Sequence, residues 1–221
     1  MFQKKTQILR VLSLVLLLLV SKSSLLYAQK SSKVKKSKSD YLVSIGTQFG
    51  KTYLVLFEDV PKHRANFLKL VEERFYDGTT FHFVLEDFMI LGGDMNTKPN
   101  GNAQRVGMGT PGYTLEAEIN EKHKHKRGTL GAARQKDELN PKKRSSGSHF
   151  YIVQGNEGAP HLDGEYSAFG EVIRGMDVVD KIASREVDDN GKPLEQITLT
   201  IRAEEMKKKK ITKLFGYKYE D

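Results

Sequence analysis

The chain has 221 residues, of which 38% are hydrophobic and 29% are charged, a composition that suits a soluble globular protein with one sizeable core. Its formal net charge of +8 comes from its two ends, because residues 1–40 carry nine basic residues and one acid, and residues 204–221 carry six and four. The segment between them holds 21 basic and 23 acidic residues, a net charge of −2, so no nucleic-acid-binding surface is expected. Cysteine is absent, which excludes disulfides.

The first 28 residues have the pattern of a secretory signal peptide. Three basic residues precede an apolar run over residues 11–20, and Ala28 offers a cleavage point before Gln29. The apolar run is too short to span a bilayer comfortably. We therefore expect an exported protein, periplasmic or secreted, with no stable membrane span after cleavage; an uncleaved anchor is the alternative.

Residues 29–40 are rich in lysine and serine and contain a single apolar residue before Tyr41. Such a segment buries too little apolar surface to order itself, so it predicts a flexible tether. Residues 204–221 predict a basic C-terminal tail. The tail is expected to be solvated, with contact to anionic lipid as the alternative.

Short β-rich runs and turn residues dominate the segment between tether and tail. In chain order, strands are predicted over residues 41–45, 52–57, 79–85, 88–91, 113–119, 128–133, 149–153, 167–172 and 194–201. Apolar residues at helical spacing predict helices over 61–74, with proline in the first turn, and over 176–183. Polar, glycine-containing stretches predict loops over 92–112 and 135–148, and an exposed charged turn over 120–127. The pattern favours an antiparallel barrel or sandwich and leaves the two open.

Five ordered blocks carry a resemblance to a known family. They are FYDGTTFHFV, FMILGGD, the glycine-rich loop over residues 100–112, GSHFYIV, and HLDGEYSAFGEVIRGMDVVDKI. In this order and spacing they resemble the cyclophilin family of peptidyl-prolyl cis–trans isomerases, over a domain covering residues 41–203. The resemblance implies a mainly β fold, namely a closed eight-stranded antiparallel barrel capped by two helices.

The implied chemistry is rotation about the peptide bond before proline. Because that rotation breaks no covalent bond, it needs no nucleophile, metal or cofactor. The barrier of about 18–20 kcal/mol comes from the partial double-bond character of the amide. An apolar pocket holds the proline ring, and a hydrogen-bond donor aimed at the prolyl nitrogen stabilises the twisted state. The expected partners are proline-containing peptides or unfolded exported proteins, bound by a monomer.

The resemblance places the proline-binding groove at specific positions of this chain. The expected substrate-binding residues are Phe88, Met89, Leu91, Ala133, His149, Tyr151, His161 and Leu162. Tyr166 and Phe83 stand at positions that the family uses for catalysis. His82 is expected to be buried and structural.

Three of these positions depart from the family pattern. Phe83 replaces the usual catalytic arginine, Leu91 replaces a substrate-binding glutamine, and His149 replaces a second amide. Phe83 and Leu91 have no side-chain donor. We therefore expect an intact groove with weakened isomerase activity; the alternative is a non-catalytic binder of proline peptides, acting as a chaperone or scaffold. Arg134 and Arg105 are the candidate replacement donors.

Two other functions are weaker interpretations of the same sequence. His123 and His125 are spaced as two residues on one face of a strand, but a solvated turn explains them better than a metal site. Ser146 and Ser148 lie near His149, but no orienting acid or oxyanion hole stands at recognisable spacing.

Overall fold

A computed structural model describes residues 37–219, and the chain from Lys38 onward forms one compact unit. The predicted signal peptide, and the predicted tether as far as residue 36, lie outside the described residues. Within residues 37–219 no helix is long and apolar enough to cross a membrane.

Antiparallel strands make up most of the fold. The strands are β1 (Ser39–Thr47), β2 (Gly50–Leu56), β3 (Thr80–Phe81), β4 (Phe83–Leu85), β5 (Met89–Gly92), β6 (Thr114–Leu115), β7 (Thr129–Arg134), β8 (Ser145–Val153), β9 (Ala168–Arg174), β10 (Ile197–Thr198) and β11 (Thr200–Lys207). The large sheet has the order β11-β1-β2-β9-β7-β8-β5-β4, with β6 paired to β8. A mainly β fold built on one large antiparallel sheet agrees with the sequence prediction.

The two end strands of the large sheet approach each other through short extensions. His82 separates β4 from β3, and Leu199 separates β11 from β10. Strands β3 and β10 pair with each other, and the Leu199 amide donates to the Thr79 carbonyl at 2.9 Å. The large sheet therefore does not close into one continuous ladder, because its end strands β11 and β4 do not pair with each other. The two-stranded sheet of β3 and β10 lies between these ends.

Two of the helices follow the prediction closely. Helix α1 (Pro61–Glu72) begins at a proline, whose missing amide costs nothing in the first turn. It ends two residues earlier than predicted, because Arg74 takes a left-handed conformation (φ 57°) and the Phe75 amide bonds back to Leu70. Helix α2 (Met176–Ala183) has the predicted bounds. Both helices contribute buried side chains to the largest hydrophobic cluster, the main core, which they share with strands of the large sheet.

A third helix corrects the expectation of two helices, and it lies in the segment that was predicted to be a basic tail. Strand β11 continues to Lys207, and helix α3 (Lys208–Phe215) follows it. Ile211 is fully buried in a second core that includes Leu42, Val55 and Met206. The apolar side chains of Met206, Ile211 and Phe215 lie together in this second core, although lysines separate them in the sequence. The segment therefore covers an apolar outer face of the sheet.

The first strand also begins two residues before its predicted start at Tyr41. Ser39 and Asp40 belong to β1, where they pair with Lys207 and Met206. Asp40 is buried and lies 2.8 Å from the guanidinium of Arg64. Pairing with β11 satisfies the backbone hydrogen-bonding groups of this polar segment. The composition of the segment alone does not predict that pairing.

Candidate functional site

Strand register places three candidate positions and Gly131 in one row on the outer face of the sheet. Phe83 pairs with Leu91, Leu91 with Tyr151, and Tyr151 with Gly131, across β4, β5, β8 and β7. The neighbouring row is fully buried in the main core and consists of Val84, Ile90, Ile152 and Leu130. Since successive side chains alternate between the two faces of a strand, the row that contains Phe83 faces away from the core.

This outer row belongs to a separate apolar cluster, which we call the outer patch. The outer patch consists of Phe88, Met89, Leu91, Ala133, Tyr151, Val153, Ala159, Leu162 and Tyr166. Seven of these nine residues were predicted for the groove, and the nine come from four separate segments of the chain. Five of them, including Phe88 and Met89, are only partly buried, so the outer patch presents apolar and aromatic surface to solvent.

His161 lies at the edge of the outer patch. It is exposed in the short turn Pro160–Leu162, and its ring centroid is 5.2 Å from that of Phe88. The structure thus brings His161 beside the predicted proline floor, while Leu162 from the same turn is buried in the patch.

Phe83 is half-buried beside the outer patch and is partly covered by a neighbouring loop. A Cβ atom built on Gly191 would lie 2.8 Å from the Phe83 ring, so the glycine backbone rests on this side chain. The Val84 amide donates to the Gly191 carbonyl at 2.7 Å, which fixes the loop there. The position of the family arginine is therefore occupied by a hydrocarbon ring that offers no donor to a substrate.

His149 lies apart from the outer patch, although it was predicted to contact substrate. Its Nε2 atom donates to the Gly109 carbonyl at 2.9 Å and lies 3.7 Å from a carboxylate oxygen of Asp94. Its ring centroid is 5.6 Å from that of His82, and both imidazoles are buried. In this arrangement His149 anchors the loop that contains Gly109, and its donor is used within the protein.

His82 is buried, as expected for a structural residue. Burial lowers its pKa from 6.5 to about 4; the neighbouring His149 adds to this, and Asp94 opposes it. Asp94 is fully buried and accepts hydrogen bonds from the amides of Asn96, at 2.7 Å, and of Gly107. A Cβ atom at Gly109 would lie 1.9 Å from Oδ1 of Asp94, so only glycine fits there. These contacts shape the predicted loop over residues 92–112.

Tyr151 has a hydrogen-bonded support that the sequence prediction missed. Its hydroxyl lies 2.9 Å from Nε2 of His125, and Nδ1 of His125 lies 2.9 Å from Oδ1 of Asp163. His125 is buried, which corrects its assignment to a solvated turn. No local signal marks this contact, because His125 and Asp163 come from distant parts of the chain.

Arg134 reaches the edge of the outer patch, where four hydrogen bonds within the protein hold its guanidinium. Its guanidinium lies 4.4 Å above the ring of Tyr166 and bonds to Glu165, Asp137 and two backbone carbonyls. The side chain is 5% exposed. Arg134 therefore buttresses Tyr166 from outside the patch. The other candidate donor, Arg105, is exposed in the short turn Ala103–Arg105.

His123 makes contacts that account for it without a metal ion. Its ring stacks on Phe57 with centroids 3.8 Å apart, and its Nε2 lies 2.6 Å from Asp59. Within residues 37–219, no group of three histidine or carboxylate side chains is placed to hold a metal ion.

Comparisons with known proteins agree with the class that this fold and patch define. Residues 42–203 match the family model for cyclophilin-type peptidyl-prolyl cis-trans isomerases. A peptidyl-prolyl cis-trans isomerase of Arabidopsis thaliana is 35% identical over 159 residues, which cover 71% of this chain and 91% of the relative. A probable peptidyl-prolyl cis-trans isomerase of Brucella abortus is 40% identical over 151 residues, covering 65% and 73%.

A solved structure gives the same result. The cyclophilin-type isomerase of Cryptosporidium parvum superposes with a TM-score of 0.65 at 29% identity, covering 75% of this chain and 98% of that one. The same protein was also crystallised in the presence of the dipeptide Ala-Pro, and that structure has a TM-score of 0.63 at 30% identity. The chain therefore belongs to the cyclophilin-type peptidyl-prolyl cis–trans isomerases, a family of isomerases.

Proposed function

We propose that this protein binds prolyl segments of exported proteins at the outer patch and assists their folding as a weak prolyl isomerase. The observation that carries the proposal is the convergence of seven predicted groove residues on one partly exposed apolar surface. A related structure crystallised with Ala-Pro supports a prolyl peptide as the ligand class.

The outer patch supplies part of what the reaction needs. Apolar side chains such as Phe88 and Met89 accept the proline ring and remove water from the amide. Desolvation disfavours the charge-separated planar amide relative to the twisted state. That effect needs no polar side chain from the protein.

The activity is weakened because the donor for the prolyl nitrogen is missing. Phe83 and Leu91 are paired neighbours, and neither side chain donates a hydrogen bond. Arg134 is held by Glu165 and Asp137. A donor contributing a few kcal/mol more in the transition state corresponds to about two decades in rate.

Non-catalytic peptide binding is the second candidate, and Phe83 is the observation that favours it. NMR exchange spectroscopy on an Ala-Pro peptide measures the rate of isomerisation and the binding of the peptide in one sample. The proposal expects exchange faster than the uncatalysed rate, with shifts at Phe88 and Met89. Binding at those residues with exchange at the uncatalysed rate would establish the non-catalytic binder; no binding there would refute both.

Export is supported by the signal-like pattern of residues 1–28. Expression of the full chain in a bacterial host, followed by mass spectrometry of the cell fractions, tests it. The expected product begins at Gln29 and is found outside the cytoplasm. An intact N-terminus in the membrane fraction identifies the uncleaved anchor instead. Sedimentation of the mature chain tests the expectation of a monomer.

Closure of the sheet into a barrel is supported by the pairing of β3 with β10 between the two ends of the sheet. Hydrogen exchange measures that closure directly. The amides of Phe81 and Ile197 are expected to be protected to the same degree as those in the middle of β8. Fast exchange at β3 and β10 alone would show an open sheet.

A further inference from the structure

We propose that His125 and Asp163 form a positioning pair that fixes the ring of Tyr151 as the floor of the outer patch and so sets the affinity for prolyl peptides. The inference rests on the proposed function, because it assigns a role within the same patch. His125 and Asp163 are positioning residues, since Tyr151 stands between them and a bound peptide.

The chemistry of the three side chains determines which atom donates and which accepts in each hydrogen bond. Oδ1 of Asp163 accepts from the backbone amide of His125 at 2.8 Å and from its Nδ1 at 2.9 Å. A carboxylate only accepts, so Nδ1 carries the proton. In the neutral ring Nε2 is then an acceptor, and the Tyr151 hydroxyl donates to it at 2.9 Å.

Burial makes this chain of bonds costly to break. The side chain of His125 is 1% exposed, and Tyr151 is 2% exposed. Burial lowers the pKa of His125, against the opposing pull of Asp163, and burial raises the pKa of Tyr151 well above its usual value. Both groups therefore stay neutral near pH 7. A buried donor or acceptor left without its partner costs about 1–3 kcal/mol.

Gly131 determines where the end of the Tyr151 ring lies. A Cβ atom at Gly131 would be 2.2 Å from Cζ and 2.4 Å from the hydroxyl oxygen of Tyr151. The ring thus extends across β7, over a backbone without a side chain, to reach His125. The ring of Tyr166 packs edge-on against that of Tyr151, with ring centroids 6.2 Å apart.

The support is directed at the surface that receives the peptide. Tyr151 lies next to Leu91 in the strand register and packs with Phe88, Met89 and Leu162 in the outer patch. A ring released from His125 is free to turn about its Cβ–Cγ bond and to shift between Gly131 and Leu91. The floor under the proline ring then has no fixed depth. The affinity for the peptide falls because the Tyr151 ring must be ordered again on binding.

The experiment compares Tyr151→Phe, His125→Leu and the double variant with His123→Leu. The control removes a hydrogen-bonded histidine of the same loop, two residues away, that contacts Phe57 and Asp59 and lies outside the outer patch. All are titrated with an Ala-Pro peptide by NMR, and thermal unfolding checks that each is folded at the working temperature.

The expected result is a five- to tenfold loss of peptide affinity in Tyr151→Phe and in His125→Leu. Because both changes cut the same support, the double variant should lose no more than His125→Leu alone. His123→Leu should bind as tightly as the wild type. Unchanged affinity in the folded single variants, or a loss in the double variant equal to the product of the single losses, overturns the proposal.

A second measurement separates this inference from the proposed function. The aromatic NMR signals of Tyr151 in the free protein report ring rotation without peptide. Slow rotation in the wild type and fast rotation in His125→Leu support the positioning pair. Fast rotation in the wild type refutes it. Failure of the wild type to bind the Ala-Pro peptide at the outer patch refutes the proposed function, and with it the assigned effect on affinity.

Discussion

We predict that the buried imidazole of His82 makes the stability of the domain sensitive to mild acid. Its pKa falls from 6.5 to about 4 because the ring is buried, with a further contribution from the neighbouring His149. The unfolded chain binds a proton at this residue near pH 6.5, whereas the folded chain does so only near pH 4. Protonation therefore favours the unfolded state between these two values.

The size of the effect follows from the difference between the two pKa values. The two pKa values differ by about 2.5, which corresponds to a loss of about 3 kcal/mol in the free energy of unfolding. This loss of stability is absent above about pH 6.5, grows as the pH falls, and stops growing below about pH 4. His82→Gln removes the titrating group and keeps a polar side chain at this position.

Urea unfolding of the wild type and of His82→Gln at pH 7.5, 6.5, 5.5 and 4.5 tests the prediction. The free energy of unfolding should fall more steeply with acid in the wild type than in His82→Gln. Between pH 7.5 and pH 4.5 the difference between the two proteins should change by about 2–3 kcal/mol. Two parallel curves would contradict the assignment, as would NMR titration of the His82 ring near pH 6.5 in the folded protein.

Three further predictions concern the patch and the second core. Phe83→Arg with Leu91→Gln should raise isomerase activity about a hundredfold by restoring the donors, as measured by peptide exchange; no gain in a folded double variant would show that the missing donors are not the limitation. Ile211→Ala should lower the free energy of unfolding by about 2–5 kcal/mol because the residue is fully buried, whereas Lys210→Ala on the same helix should change it little. Gly131→Ala should weaken peptide binding and lower stability by about 1–3 kcal/mol, because the new Cβ atom meets the tyrosine ring at the floor of the patch; unchanged binding and melting temperature would refute that crowding.

The sequence predicted those parts of the fold that depend on local patterns. Helix α2 was predicted with its observed bounds, because its apolar positions recur at helical spacing directly after Gly175. The resemblance to the family assigned Phe88 and Met89 to the proline-binding groove, and the structure places both in the outer patch. The roles of the site residues stay predictions until peptide binding is measured.

Features that depend on distant partners were missed. The lysines around Ile211 hide its burial, because only the sheet face formed by Leu42 and Val55 gives it a hydrophobic partner. His125 was assigned to a solvated turn, since its charged neighbours dominate the local pattern. Its actual surroundings come from Tyr151 and Asp163, which no local period connects to it.

The pairing of β1 with β11 has a consequence for the order in which the molecule is made. The first and last strands of the domain are partners over eight residue pairs, from Ser39 with Lys207 to Gly46 with Thr200. A growing chain cannot complete this ladder until its last strand has left the ribosome, and contacts of such long sequence separation form slowly. The domain thus stays incomplete until its last strand has been synthesised and can pair with its first.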